Sequence, residues 1–212
     1  MSALGLPGAI VLAGGKSRRM GRDKSLLTYC GKSFIEIVVG RLLRVTDRVV
    51  VCVGQKDRRV FQELLPREVQ VLNDKVDFGT PISGALTGFE ALDVDYAALV
   101  GCDMPLIKEG VLMHIAGQAK GCSAAVPRWP NGEVEPLLAV YRVGETLGAV
   151  RQAIRDGKLA LKNIFEYLAD VRYVSVDSLR GVDAQLESLW NINTPQDYAA
   201  LKKWEASFCS GS

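Results

Sequence analysis

The segment from Leu12 to Lys24 combines residue types that bind phosphate groups. It contains three glycines and five basic residues. Glycine lets the backbone turn tightly and approach a ligand, and successive backbone N–H groups can then form a concave site for an anion. Lysine and arginine add charge-assisted hydrogen bonds to phosphate oxygens. We therefore predict that this segment holds the phosphates of a nucleotide, although its charge alone also fits a solvated, flexible loop with a basic face.

The glycine spacing excludes two better-known phosphate loops. A P-loop that ended at Gly15, Lys16 and Ser17 would need its first glycine at position 10, which is Ile10. The GxGxxG pattern fails because Lys16 occupies the place of the second glycine, and this disfavours a dehydrogenase. The position of the segment still favours ligand binding. It leaves the first predicted strand, and ligands of open α/β sheets bind beyond the carboxyl ends of strands.

A second candidate site follows the strand predicted at Tyr96–Gly101, where the chain reads Cys102-Asp103-Met104-Pro105. A carboxylate at the end of a strand is well placed to bind Mg²⁺. This ion usually takes one or two carboxylates and completes its shell with waters and substrate phosphates. Asp103 fits equally well as a cap of the turn that follows the strand. On the residues alone, both interpretations stay open.

The composition narrows the classes of partner. Lys plus Arg number 26 and Asp plus Glu 24, and this net charge of +2 does not point to nucleic acid or a membrane surface. The five cysteines are widely spaced without a CxxC pair, and His114 is the only histidine, so we expect neither a structural zinc site nor a disulfide framework. We find no signal-peptide pattern and no apolar run near the roughly 20 residues of a membrane span. These features predict a cytoplasmic protein.

Seven short apolar runs predict buried strands. They are Ala9–Ala13, Arg48–Val53, Val69–Leu72, Tyr96–Gly101, Ser123–Pro127, Leu137–Arg142 and Arg172–Val176. Helical patterns alternate with them, one behind a capping box of Ser33 and Glu36 and another with Thr80 as N-cap and Pro81 as first residue. The alternation predicts a three-layer, doubly wound α/β fold with a mainly parallel sheet. We expect one domain over residues 1–206 and a flexible tail at residues 207–212.

The joint spacing of motifs in the first half of the chain resembles the signature of the molybdenum cofactor guanylyltransferases. The motifs are Leu12-Ala13-Gly14-Gly15, Arg19-Met20-Gly21, Asp23-Lys24 and Leu26-Leu27. Those enzymes are nucleotidyltransferases with a Rossmann-like, mixed sheet of the nucleotide-diphospho-sugar-transferase type. The resemblance implies that residues 12–15 contact GTP through their backbone and that Lys24 holds phosphates. It implies that Arg19 helps to bind the triphosphate, and that the Cys-Asp-x-Pro loop presents Asp103 to Mg²⁺.

The resemblance also bears on recognition of the base. It makes Asp74, which follows the Val69–Leu72 strand, a candidate for contact with guanine, because a carboxylate accepts from the N1–H and N2 amine of that base. The alternative is a plain Asn-Asp turn. Many relatives carry Asn after the second buried strand, whereas this chain continues into Cys52. Either that contact is lost, or Gly54 and Gln55 supply it through other atoms. We expect Cys52 to be a small buried hydrophobe.

The acceptor side is implied by two motifs in the second half. Asn191-Ile192-Asn193-Thr194-Pro195 matches an Asn-x-Asn-Thr-Pro motif, in which Thr194 and Pro195 are predicted to begin a helix. The resemblance implies that Asn193 and Asn191 line the acceptor site. Pro136 lies where relatives place an acceptor-binding loop.

Together, these features imply transfer of GMP from GTP to the phosphate of molybdopterin, with Lys24, Arg19 and Asp103 as the catalytic residues and Mg²⁺ as the cofactor. The N-terminal half of the domain would bind nucleotide and the C-terminal half the acceptor. Cofactor-insertion proteins and apo-molybdoenzymes are the implied protein partners. The alternatives are a cytidylyltransferase on the same cofactor, a nucleotidyltransferase for a sugar phosphate or cobalamin precursor, and a non-catalytic nucleotide or cofactor carrier.

Overall fold

The computed structural model describes residues 5–15 and 20–209, with side chains described as far as residue 206. The strands in this part of the chain are β1 Ala9–Leu12, β2 Thr28–Tyr29, β3 Lys32–Ser33, β4 Val49–Cys52, β5 Gln70–Leu72, β6 Tyr96–Gly101, β7 Ala124–Arg128, β8 Leu138–Arg142 and β9 Val171–Ser175. The α-helices are α1 Phe34–Leu42, α2 Arg58–Leu64, α3 Ile82–Ala91, α4 Glu109–Ala119, α5 Val143–Arg155 and α6 Pro195–Cys209. Short 3₁₀ helices cover Lys24–Leu26, Leu161–Tyr167, Val176–Gly181 and Glu187–Leu189.

Seven strands form one sheet in the order β5-β4-β1-β6-β8-β7-β9. The strands β5, β4, β1 and β6 are parallel neighbours, and β7 is parallel to β9. Only β8 runs against its neighbours, between β6 and β7. The predicted fold class, a mixed and mainly parallel sheet, is confirmed. Because β1, β4, β5 and β6 run in one direction, the loops that leave them meet at the same edge of the sheet.

The strand residues alternate between two cores, which explains why β1 is apolar at every position. Ala9 and Val11 pack in a core with α1, α2 and α4, while Ile10 and Leu12 pack in a core with α3 and α5. All four side chains are buried. A strand covered on both faces reads as a continuous apolar run, so the sheet lies between two helical layers.

Two predicted helix starts are confirmed by their capping hydrogen bonds. Ser33 and Glu36 form a reciprocal capping box at the start of α1. At the start of α6, the Asp197 N–H donates to Thr194 Oγ1 at 3.1 Å, and the Asp197 carboxylate accepts from the Thr194 N–H at 2.8 Å. These bonds satisfy backbone donors that have no partner inside the helix.

The predicted N-cap role of Thr80 is wrong. Helix α3 begins at Ile82, and Pro81, already in the helical region, precedes it without a side-chain cap. The Thr80 hydroxyl instead donates to the Leu159 carbonyl at 2.7 Å. The local pattern predicted that this hydroxyl would cap the helix, but it forms a hydrogen bond with a residue 79 positions away in the chain.

A third, smaller core joins the C-terminal helix to the segment around Lys24. Its buried residues are Met20, Leu27, Phe34, Ile192 and Leu201. The hairpin β2–β3 extends this contact, because the Cys30 N–H in its turn donates to Glu205 of α6 at 2.6 Å. Helix α6 ends at Cys209, and residues 210–212 lie outside the described residues.

Among the described residues, no helix has the length and apolar character required to cross a membrane.

Candidate active site

A cleft of about 720 Å³ lies at the carboxyl ends of β1, β4, β5 and β6. Every site residue predicted within the described chain lines it: Leu12, Ala13, Gly14, Gly15, Lys24, Asp74, Asp103, Pro136, Asn191 and Asn193. Arg19 lies outside the described residues. The cleft therefore unites the predicted donor and acceptor residues, while their individual roles stay predictions.

The backbones of the loops after β1 and β4 touch inside the cleft. A Cβ atom added to Gly14 would lie 2.8 Å from the Gly54 nitrogen and 2.9 Å from its Cα. Gly54 has a φ of +67°, and a Cβ there would meet the Gly14 Cα at 2.9 Å. Only two glycines can approach in this way, since real Cβ atoms essentially never come within 3.0 Å of another heavy atom. The pair leaves backbone, rather than side chains, at this part of the cleft wall.

Lys24 connects three parts of the sequence across the cleft. Its Nζ lies 2.9 Å from Asp103 Oδ2 and 2.7 Å from Asn193 Oδ1. The Lys24 and Asp103 side chains are 17% and 16% exposed, so the pair is reachable but poorly hydrated. A lysine ammonium carries three N–H donors, and a ligand phosphate can compete with Asp103 and Asn193 for them.

Two backbone features position Asp103. The Ile192 N–H donates to the Asp103 carbonyl at 2.9 Å, which joins the Asp103 loop to the asparagine loop. Gly101 makes room for the carboxylate, because a Cβ at that residue would lie 2.5 Å from Asp103 Oδ1. The carboxylate therefore lies back over the last residue of β6.

Asp74 borders the cleft beside the glycine pair. Its Oδ1 accepts from the Gly54 N–H at 3.2 Å, and its carbonyl accepts from Gln55 Nε2 at 2.9 Å. Burial raises the pKa of the Asp74 carboxyl, the Gly54 N–H opposes this, and the nearby Asp77 charge raises it further. Asp74 is thus a partly desolvated acceptor that faces a cleft.

Cys52 is fully buried at the end of β4, as expected for a small hydrophobe. Burial raises the pKa of its thiol strongly, so the thiol stays protonated and inert. None of the four cysteines whose side chains are described, Cys30, Cys52, Cys102 and Cys122, forms a disulfide.

Lys56 and Asp23 also line the cleft. Asp23 belongs to the Asp23-Lys24 motif but had no predicted role, and Lys56 was not predicted. Lys56 Nζ lies 2.7 Å from Asp23 Oδ1 and also donates to the Ala13 carbonyl. Lysine is common on surfaces, and no local pattern distinguishes this one. The only available signal was its position directly after a strand that ends at the cleft.

Glu135 is a further cleft residue that was not assigned to the site. Its Oε1 accepts from Trp129 Nε1 at 2.8 Å, and its carboxylate also accepts from the Asn191 side chain. Burial raises the pKa of Glu135, these two hydrogen bonds oppose the shift, and the Glu133 and Asp103 charges add to it. Glu135 thereby links the Pro136 loop to Asn191.

The residues present suit Mg²⁺. Asp103 offers a partly exposed carboxylate, and Asn193 offers an amide oxygen beside it. Among the described residues, no group of three His, Cys, Asp or Glu side chains is arranged to hold a metal ion. A single carboxylate still suffices for Mg²⁺, because waters and substrate phosphates complete its oxygen shell.

The sheet, the glycine-rich loop after β1 and the charged cleft together define a nucleotidyltransferase. Residues 9–171 match the model of the MobA-like NTP transferase domain. The chain belongs to this family.

Named relatives agree with this assignment. The chain is 32% identical over 206 residues to a probable molybdenum cofactor guanylyltransferase of Methanosarcina acetivorans, covering 91% of this chain and 88% of the relative. It is 35% identical over 195 residues to a protein of the same name from Pyrococcus horikoshii, covering 89% and 95%. The crystal structure of molybdopterin-guanine dinucleotide biosynthesis protein A from Archaeoglobus fulgidus superposes with a TM-score of 0.77 at 30% identity, covering 97% of this chain and 100% of that one.

Proposed function

We propose that this protein transfers GMP from GTP to the phosphate of molybdopterin, releasing pyrophosphate and forming molybdopterin guanine dinucleotide. The observation that carries the proposal is the position of Lys24 Nζ, within 3 Å of both Asp103 and Asn193. This contact joins the proposed donor side of the cleft to the proposed acceptor side. The names of the relatives from Methanosarcina acetivorans and Pyrococcus horikoshii support the choice of substrates.

In the proposed reaction, an oxygen of the acceptor phosphate attacks the α-phosphorus of GTP. The new P–O bond forms as the bond from the α-phosphorus to the bridging α–β oxygen breaks, and that oxygen leaves with the pyrophosphate. A phosphate oxygen is already anionic near neutral pH, so the attack needs no general base from the protein. The remaining tasks are to position the two anions and to neutralise their charge.

On the donor side, the amides of residues 12–15 and the Lys24 ammonium bind the triphosphate. Arg19, by its resemblance to the family pattern, joins them. Asp103 holds Mg²⁺, with Asn193 as a nearby oxygen donor. When bound, Mg²⁺ supplies Lewis-acid neutralisation of phosphate charge. Lys24 in turn keeps the Asp103 carboxylate oriented at the edge of the sheet.

Asp74 is the proposed contact to guanine. Its carboxylate borders the wall formed by Gly14 and Gly54, and the N1–H and N2 amine of guanine are both donors. A Cβ at Gly14 would lie 3.4 Å from Asp74 Oδ2, so a glycine at this position leaves room for a base beside this acceptor.

Asn191, Asn193 and Pro136 form the proposed acceptor side. Glu135 supports it by accepting from the Asn191 amide, which fixes the direction of that side chain. In this proposal, the N-terminal half binds nucleotide and the C-terminal half binds the pterin. A cytoplasmic location and delivery of the product to cofactor-insertion proteins or apo-molybdoenzymes are further parts of the proposal.

The test measures pyrophosphate release from GTP, CTP, UTP and ATP with Mg²⁺, with and without molybdopterin. We expect release only with GTP and only when molybdopterin is present. Thermal-shift titrations with the same four nucleotides report binding separately from turnover. A preference for CTP would replace guanine by cytosine in the proposal. Binding of GTP without any pyrophosphate release would indicate a carrier instead of an enzyme.

A further inference from the structure

Lys56 contacts both ends of the glycine-rich loop. Its Nζ donates to the Ala13 carbonyl, where the chain leaves β1, and lies 2.7 Å from Asp23 Oδ1, directly before Lys24. The side chains of Lys56 and Asp23 are 21% and 25% exposed, which is less than most ion pairs on this surface. Lys56, on the loop after β4, thus bridges Ala13 and Asp23 in the segment after β1.

Asp23 uses one oxygen for three donors. Its Oδ1 accepts from the Ser25 N–H at 3.0 Å, from the Ser25 hydroxyl at 2.6 Å and from Lys56. The first two bonds make Asp23 the N-cap of the 3₁₀ turn that carries Lys24. Movement of the Asp23 carboxylate would therefore displace the lysine proposed to hold phosphates.

The backbone of Lys56 also forms hydrogen bonds on both its carbonyl and its N–H. Its carbonyl accepts from Asn73 Nδ2 at 2.7 Å, and its N–H donates to the Val53 carbonyl at 3.3 Å. The ammonium also lies 5.8 Å from the centre of the Phe61 ring. These contacts pre-position the ammonium before any ligand binds, and pre-positioning lowers the entropy lost on binding.

Lys56 also neutralises the negative charge of Asp23. Asp23 lines the same cleft as Lys24, so its negative charge faces the region proposed for a triphosphate. Like charges close together in a poorly hydrated site repel strongly. Lys56 neutralises this carboxylate and so reduces its repulsion of the phosphates.

We propose that Lys56 is a positioning residue for the phosphates of the donor nucleotide, acting through Asp23 and the Ala13 carbonyl. This inference rests on the proposed nucleotide site. It assigns to Lys56 the role of holding Ala13 and Asp23 in their relative positions, and it predicts an effect on the nucleotide rather than on the acceptor.

The test compares Lys56→Met with a matched control, Lys158→Met. Both lysines pair with a carboxylate and lie over an aromatic ring, but Lys158 contacts Glu166 and Tyr167 away from the cleft. Methionine keeps the apolar stem and removes the charge. We expect Lys56→Met to raise the Kd and the KM for GTP about tenfold, the loss of roughly one charge-assisted hydrogen bond. The KM for the acceptor and the values of Lys158→Met should stay within threefold of the unchanged protein.

A double variant tests whether Lys56 affects GTP binding through Asp23. In an Asp23→Asn background, the charge that Lys56 neutralises is gone and only its contact with the Ala13 carbonyl remains. Adding Lys56→Met should then change the Kd for GTP by less than threefold. A full tenfold change in that background would overturn the proposed route through Asp23. Unchanged GTP binding in Lys56→Met, or an equal rise in both KM values, would overturn the positioning role while leaving the proposed function intact. Absence of GTP binding by the unchanged protein would overturn both.

Discussion

The Lys24 ammonium and the Asp103 carboxylate lie 2.9 Å apart, although 79 residues separate them in the chain. The parallel pairing of β1 with β6 makes this possible, because Leu12 lies beside Gly101 in the register and both loops leave the same edge. The pair puts a fixed positive charge and a carboxylate suited to Mg²⁺ in the segments that follow two neighbouring strands.

Replacing Lys24 by Met should lower turnover with GTP by about 10²–10³-fold, the usual cost of one preorganised contact to charge that develops in the transition state. Methionine fills a similar volume, so the melting temperature should change little. Steady-state pyrophosphate release measures the effect. A rate within threefold of the unchanged protein would remove Lys24 from the catalytic residues.

Replacing Asp103 by Asn should abolish Mg²⁺-dependent turnover without unfolding the protein. The amide keeps an oxygen for Lys24 and loses the charge that a hard divalent cation requires. The measurement is turnover as a function of Mg²⁺ concentration, with circular dichroism as the control for folding. Near-normal turnover at low Mg²⁺ would contradict the assignment of Asp103 as the metal ligand.

The contact between Gly14 and Gly54 allows a comparison of two adjacent glycines. Gly14→Ala would drive a methyl group into the Gly54 backbone, whereas a Cβ on Gly15 meets nothing within 4 Å. We expect Gly14→Ala to lower the free energy of unfolding by about 1–3 kcal/mol, the typical cost of overpacking. Gly15→Ala should stay within about 0.5 kcal/mol.

Denaturant unfolding of both variants, with the m-value checked for constancy, measures this difference. Gly14→Ala should also weaken GTP binding, since it separates the two loops at the cleft wall. Equal stability of the two variants would show that the loops can part without cost.

The elements of this fold were predictable because their signals are local. Strands covered on both faces, such as β1, read as apolar runs, and Ser33 with Glu36 forms its capping box within four residues. The common edge of β1 and β6 followed from the general behaviour of parallel sheets. The resemblance to the guanylyltransferase motifs added the expectation that Lys24 and Asp103 belong to one site.

The remaining features depend on contacts between distant segments. No local pattern places the antiparallel β8 between β6 and β7, and that insertion brings Glu135 toward Asn191. In the sequence, nothing distinguishes Lys56 from a surface lysine. Its contact with Asp23 depends on the pairing of β4 with β1. The local sequence also failed to predict the partner of Thr80, because its hydroxyl donates to the distant Leu159 carbonyl instead of capping α3.

The raised pKa of Glu135 predicts how stability should vary with pH. Its main cause is burial, which penalises the charged form in the folded protein. Below the usual carboxyl pKa of about 4.3, Glu135 is neutral in both states and carries no penalty. As the pH rises through this value toward the higher folded pKa, the unfolded state ionises first and stability falls. Above the folded pKa, the penalty is complete and constant.

Glu135→Gln removes this ionisation and keeps an oxygen for Trp129 Nε1. The variant should match the unchanged protein near pH 4 and exceed it in melting temperature at pH 7 to 8, by about 2–4 °C for each kcal/mol of relieved penalty. Asp74, whose pKa is also raised by burial, will leave a residual decline of the same sign. Melting curves between pH 4 and 8 measure the difference between the two proteins. A difference that is constant with pH would mean that the hydrogen bonds from Trp129 and Asn191 cancel the cost of burying the charge.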